Sequence, residues 1–306
     1  MAIYEFALRA VSPMFLNGAN TKEPELRAAS VRGQLRYWLR AYLGAQYSDL
    51  QKIWDAESAV FGSTGHGSAV SVRVYGEPTT GNRYQYPLLP HREGTGNVSS
   101  VKAIKPNPDK PDSPFTLQLV TRPGVELPEH ALTALKLWSL LGGMGKRSRR
   151  MMGAVRIVAK GSAKEIWYSY PTTPNELAEA IRPALVGCHD LIASVPDFPT
   201  LQPRHSWIVV GTESFGDAKS ANQHFFRNLL RTNNHIDEKA YGFAGGGGRR
   251  ASPIHAQVRK IGDEYYPVFT AFRSKPEPPN NSASKISALM KAITTEYSGI
   301  TVWGGW

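Results

Sequence analysis

Cysteine is nearly absent: Cys188 stands alone among 306 residues. One thiol closes no internal disulfide and builds no thiolate metal cluster, which excludes the disulfide-stapled secreted class and points to a reducing cytoplasm. Long apolar runs are missing too, since no stretch approaches the roughly 20 apolar residues that span a bilayer. The opening residues 1–9 lack the charged, apolar and small-residue regions of a signal peptide, and their alternation reads as a strand. Acid is scarce, with Asp+Glu at 25 against Lys+Arg at 36 and a net charge of +11. That balance favours a polyanionic partner, nucleic acid ahead of an anionic membrane. What remains, 41% hydrophobic and 20% charged, is the composition of a folded globular chain. Its length suits two domains or one large one.

The shortage of acid is sharpest between Glu25 and Asp49, where none occurs. This segment holds Ser30-Val31-Arg32-Gly33-Gln34-Leu35-Arg36-Tyr37-Trp38-Leu39-Arg40, a helical pattern with Ser30 placed as N-cap. Val31, Leu35 and Leu39 share an apolar face, while Arg32, Arg36 and Arg40 form a ridge spaced i, i+4, i+8. Like charges at that spacing repel slightly, and a polyanion lying along the ridge relieves the repulsion. Gly33 is a poor helix residue but one that lets another backbone come close. A helix N-terminus beside Arg27 and Arg32 also suits a phosphate. A helix with one packed face and one solvated basic face fits the same pattern. Of the aromatics, Trp38 reads as core and Tyr37 as a candidate base stacker.

Along the chain, residues 3–11 read as a strand, 13–24 as a loop, 48–60 as a second helix and 69–75 as a strand. Residues 76–114, rich in Pro, Gly and Asn, are too long for a simple connection and read as a projecting insertion. A strand over 115–121 and a helix from 128 to about 141 follow. Then comes Gly142-Gly143-Met144-Gly145-Lys146-Arg147-Ser148-Arg149-Arg150, leading into a strand at 154–158. Its glycines permit turns that turn N–H groups toward an anion, and its four basic side chains add charge; a glycine C-cap followed by an exposed basic loop fits the same residues. The spacing is not that of a Walker A loop. Weak periodicity and recurring prolines over 171–203 mark a junction. A strand at 206–211, a helix at 218–231, a Gly-rich turn with Arg249 and Arg250, a strand at 254–259, a helix at 286–297 and a terminal strand or tail complete the chain. Each half thus carries a Gly-rich turn, a basic cluster and a strand in that order, which suggests two related α+β domains over 1–170 and 171–306.

No active-site constellation stands out. His189-Asp190 lacks further metal ligands at suitable spacing, and Cys188 lacks basic activation. His66, between two glycines, is a general-base candidate for RNA cleavage, but a histidine in a glycine turn is more often simply exposed.

With these segments in place the chain resembles the RAMP superfamily, the repeat-associated proteins that build CRISPR effector complexes, and specifically a subunit of the type III-B (Cmr) complex. The carrying residues are Pro13-Met14-Phe15-Leu16-Asn17-Gly18-Ala19, Glu25-Leu26-Arg27-Ala28 with the segment 30–40, Val60-Phe61-Gly62-Ser63, Gly142-Gly143-Met144-Gly145 with 147–150, and Arg250-Ala251-Ser252-Pro253. They span most of the chain, more thinly in the second half. The resemblance implies two ferredoxin-like βαββαβ domains, no cofactor, no metal and no catalysis. It also implies a seat near the 3′ end of the guide RNA in antiviral defence, with guide and target RNA and the other complex subunits as partners. The RNA-binding candidates are Arg27, Arg32, Gly33, Gln34, Arg36, Arg40, Gly143, Gly145, Lys146, Arg147, Arg149, Arg150, Arg249 and Arg250. The rival reading is a metal-independent guide-processing endoribonuclease of the same superfamily. Such enzymes carry their Gly-rich basic loop near the C-terminus, whereas the stronger loop here lies mid-chain. A basic ribosome- or mRNA-associated protein would explain the charge but not the paired glycine motifs.

Overall fold

The computed structural model describes residues 1–20, 23–76, 84–86, 99–101, 103–104, 115–231, 239–245, 248–275 and 282–306. In the first half the order is β1 (Ile3–Ala10), α1 (Ala28–Leu43), α2 (Leu50–Phe61), β2 (Val70–Tyr75), β3 (Tyr84–Tyr86), β4 (Ser99–Val101), β5 (Phe115–Thr121), α3 (Glu129–Leu141) and β6 (Val155–Lys160). After α4 (Pro174–Ile181) come β7 (Ser206–Val210), α5 (Ala218–His224), β8 (Phe243–Gly245), β9 (Gly248–Arg250), β10 (Ile254–Ile261), β11 (Glu264–Phe272), α6 (Ser282–Glu296) and β12 (Ile300–Gly304).

Two four-stranded antiparallel sheets result, ordered β2-β5-β1-β6 and β10-β11-β7-β12. Counted within each half, both have the strand order of a ferredoxin-like βαββαβ unit, as the resemblance implied. Of the expected insertion at 76–114, only the short β3–β4 pair and a few other residues are described, and its projection lies outside them.

Period-two alternation explains both sheets. In the first, Phe6 and Leu8 point to the helices, together with Leu117, Leu119, Val155 and Ile157. In the second, one face of β7 and β11 (Ile208, Val210, Val268, Phe272) joins the same core as α1, α3 and α4. The other face (Val209, Ala256, Val258, Phe269) lies under α5, the π-helical turn Phe225–Arg231 and α6. The layers run sheet, helices, sheet, helices, so the first unit's helices are packed on both sides. Trp38, fully buried between the sheets, is core as the spacing indicated.

Two sequence expectations need correction. Ser30 is not the N-cap: α1 begins at Ala28 with Arg27 as a cap that makes no side-chain bond. The Ala28-Ala29 pair winds readily, so the Ser30 and Val31 amides already donate to the Arg27 carbonyl at 3.0 and 3.2 Å. The helix expected over 218–231 widens to π-type turns after His224.

Candidate nucleic-acid interface

The ridge on α1 does find an acid, supplied by α2. Asp49 caps α2 by accepting the Gln51 amide at 2.8 Å, and the helix carries Glu57 to the side of α1, its side chain only 2% exposed. One Glu57 oxygen takes Arg36 Nε at 2.5 Å, the other Arg40 Nε at 2.5 Å, with Arg40 Nη2 adding 3.1 Å. Arg36 Nη1 also donates to the Gly62 carbonyl at 2.9 Å, just past α2. Hydrogen bonding to Glu57, opposed by partial burial, raises the Arg40 pKa further. A buried carboxylate thus holds two of the three ridge arginines in fixed geometry. Arg40 remains half exposed and Arg36 about one-fifth.

The N-terminal end of the ridge is different. Arg27, Arg32 and Gly33 are exposed, Gln34 is half-buried, and no acid lies in the first turn. Neither Arg27 nor Arg32 has a side-chain partner among the described residues. A Cβ on Gly33 would meet nothing within 4 Å, so the helix backbone is bare there. Lys146 is tied to the approach to α1 through the backbone: its amide donates to the Phe15 carbonyl at 2.9 Å, and the next residue, Leu16, accepts the Glu25 amide at 3.2 Å. The loop 15–25 therefore links Lys146 to the start of α1.

The Gly-rich loop departs from the expectation that it frees N–H groups for an anion. Met144, Ser148, Arg150, Met151 and Gly153 donate their amides to Gly153, Gly145, Arg147, Ala256 and Pro13 carbonyls. Its glycines are there for close packing. Gly143 abuts the Gln257 amide, and Gly145 (φ +87°) would place a Cβ 2.6 Å from the Phe15 carbonyl oxygen. Gly153 (φ +67°) abuts the Met144 carbonyl. The four basic side chains divide. Lys146 is exposed, and Arg147 holds a positive φ of 64°. Arg149 donates to the Ser252 carbonyl and lies 5.8 Å from the Tyr37 ring centre. Arg150 donates to the Tyr241 carbonyl at 3.3 Å and covers the Phe226 ring, and burial, then Arg147, pushes its pKa down to about 10. These two arginines bind the halves of the protein together.

Tyr37 is spent in the same seam. Its hydroxyl bonds His255 Nε2 at 2.9 Å and the rings stack at 5.4 Å. Burial, opposed by Arg149, raises the Tyr37 pKa to about 12. Burial, then Arg149, holds His255 well below the usual imidazole range, so it is neutral. Beside them Arg259, 1% exposed, donates to the Leu140, Val258 and Gly142 carbonyls, each at 2.8 Å. It caps the C-terminal carbonyls of α3 from the other half of the chain, where a cation complements the helix dipole. Burial, opposed by Tyr170 and Tyr168, brings its pKa down to about 10.

The remaining candidates resolve simply. The Arg249 and Arg250 side chains lie outside the described residues, although their backbone pairs in the β8–β9 hairpin. His66 sits exposed in a turn with Ser63 Oγ 3.4 Å from its Nδ1. Asp190 accepts the Arg204 amide at 2.8 Å. Cys188 is buried, which pushes its thiol up to about 12. Among the described residues no three His, Cys, Asp or Glu side chains converge to hold a metal, and no helix is long and apolar enough to cross a membrane.

Sequence reasoning missed Glu57 and Arg259. Glu57 lies on the buried side of α2 between Ile53 and Phe61, where an acid breaks an apolar stripe and signals a paired cation. Arg259 gives no such signal: with His255 and Gln257 it makes one polar face of the alternating β10 strand, which reads as solvated although it is buried.

Residues 7–156 match the RAMP superfamily. The Cmr subunit Cmr1-2 of Pyrococcus furiosus is 38% identical over 82 residues, 26% of this chain and 44% of that relative. Cmr1-1 of the same organism is 31% identical over 173 residues, 53% of this chain and 49% of the relative. The chain thus spans about half the length of these curated relatives. Apo Cmr1 from Pyrococcus furiosus superposes with a TM-score of 0.69 at 23% identity over 100% of both chains. A chain of the type III-B Cmr-β complex bound to cognate target RNA gives 0.57 at 13% identity, covering 96% of this chain and 100% of that one. At such identities the structures speak for the fold. Residues 7–156, just under half of the chain, thus carry the likeness to the RAMP superfamily. Both of the sequence relatives above are Cmr1 subunits.

Proposed function

We propose that this chain is a non-catalytic RNA-binding subunit of a cytoplasmic type III-B CRISPR effector complex. It sits near the 3′ end of the guide RNA, helps capture target RNA, and divides into domains near residue 170. The carrying observation is the open end of α1. Arg27 and Arg32, on either side of the first turn before the bare backbone at Gly33, are exposed without an acidic partner among the described residues, as is Lys146, which the loop before α1 ties to that end of the chain. Arg40, clamped by Glu57, extends the same ridge. Such a surface engages phosphates and 2′-hydroxyls and leaves sequence to guide–target pairing. Names of the relatives, and of the RNA-bound complex whose chain shares this fold, support the assembly. In this reading Arg149 and Arg150 act on the RNA only through the packing they maintain.

The test is photocrosslinking in a reconstituted complex, with 4-thiouridine placed at the 3′ or the 5′ end of the guide. Crosslinks from the 3′ position to peptides covering 27–40 and 146 support the proposal. Crosslinks from the 5′ position alone overturn the placement. Discrete RNA cleavage by the purified chain, abolished by His66→Ala, would overturn the non-catalytic reading.

A further inference from the structure

Among the described residues, α1, α2 and α3 pack on one face of the first sheet. The opposite face carries no helix among the described residues, and the strand registers fix what it displays. One row across β2-β5-β1-β6 reads Arg73, Gln118, Glu5, Lys160; the next reads Tyr75, Thr116, Ala7, Val158; beyond it Arg9 faces Arg156. Arg73, Tyr75 and Lys160 are exposed, Tyr75 by 50%.

Two features of this face ask for an anion. Arg9 and Arg156 oppose each other directly across β1–β6, an arrangement that destabilises a sheet. Each has its Nε buried without a hydrogen-bond partner among the described residues, and the Arg156 guanidinium lies 3.6 Å from the Tyr170 ring centre. The lone acid of the rows, Glu5, is held by Gln118 Nε2 at 2.5 Å. Two cationic rows, about 13 Å apart at 3.4 Å per residue, therefore flank a row of small and apolar side chains that ends in an exposed tyrosine.

We propose that this face is a second nucleic-acid surface, taking single-stranded RNA with bases at the Tyr75 end of the middle row and phosphates on the arginine and lysine rows. The small row with its aromatic end favours nucleic acid over an acidic protein, because every base offers a π-face to such a platform. The proposal goes beyond the α1 interface and rests on the chain being an RNA-binding subunit.

The test uses the full chain and a labelled 20-nucleotide oligouridine, with affinity measured over a salt series and ultraviolet crosslinks mapped by peptide. Three proteins are compared: wild type, Arg73→Ala/Tyr75→Ala/Lys160→Ala, and Arg27→Ala/Arg32→Ala/Lys146→Ala. All substituted side chains are exposed, and a thermal melt checks folding; Arg73→Glu alone serves as a second sheet variant. The expected result is about 10-fold or greater weakening in the sheet variant. Its salt slope falls by about 1.4, for two cations at roughly 0.7 each on single strands, with crosslinks at Tyr75 in wild type. A sheet variant that binds like wild type while the α1 variant loses affinity would overturn this surface and leave the α1 reading standing. Unchanged RNA binding with loss of a polyglutamate probe would assign the face to an acidic protein instead, and also overturn it. No RNA binding by wild type would overturn both readings.

Discussion

Replacing Glu57 tests whether the ridge is organised by a buried acid. Its carboxylate is 2% exposed and receives three charge-assisted bonds, from Arg36 Nε at 2.5 Å and from Arg40 at 2.5 and 3.1 Å. A hydrogen bond to a charged group contributes about 1.5–3 kcal/mol against about 0.5–1.5 for a neutral one. Arg36 and Arg40 are 21% and 49% exposed, so water recovers much of the difference when the charge is removed. The net cost is then about 1–2 kcal/mol for Glu57→Gln, and about 2–3 kcal/mol for Glu57→Ala, which also opens space between α1 and α2. At roughly 2 °C per kcal/mol for a chain of this size, thermal unfolding should shift down by about 2–4 °C and 4–6 °C. Glu57→Gln also frees two cations, so the salt slope of RNA binding should steepen by up to about 1.4. Unfolding within 1 °C of wild type in both variants would refute the idea that this fork fixes the ridge.

Further expectations address the seam and the glycines. Arg259→Met should lower stability by about 3–5 kcal/mol, because it strips the buried caps of α3, and chemical denaturation reads it directly. Gly33→Ala should stabilise the isolated chain by about 0.5–1 kcal/mol, since its surroundings are open, yet weaken RNA binding. Gly145→Ala, at φ +87° and against the Phe15 carbonyl, should instead cost more than 1 kcal/mol. His255 is neutral when folded and titrates near 6.5 when unfolded, so the unfolded state binds the extra proton. Its contribution is present above about pH 6.5 and lost as pH falls toward the folded value, at up to about 1.4 kcal/mol per unit. His255→Gln should flatten that acid limb in denaturant titrations.

Much of the architecture was legible because each sheet alternates cleanly and each helix keeps its apolar face. Leu35, Trp38 and Leu39 announced a packed stripe, and Phe6 and Leu8 a one-sided strand. The site was legible only in part. Composition revealed that α1 is basic, but the i, i+4 ridge looked uncompensated because its acid, Glu57, comes from another helix. The Gly-rich loop looked like an anion cradle because glycine also serves close packing, and only the partners at Phe15, Met144 and Gln257 tell the two apart. Spacing likewise does not reveal that Arg149 and Arg150 turn toward Ser252 and Tyr241.

The central claim is that the outward cations, and not the seam arginines, contact RNA. It is tested most directly by the salt dependence of single-stranded RNA binding in Arg27→Ala/Arg32→Ala/Lys146→Ala beside Arg149→Ala/Arg150→Ala. The first variant should melt like wild type and lose about 2 units of slope, for three cations at roughly 0.7 each. The second should melt lower and keep the wild-type slope while folded. An unchanged slope in the first variant, or the full loss appearing in a stably folded second, would contradict the account.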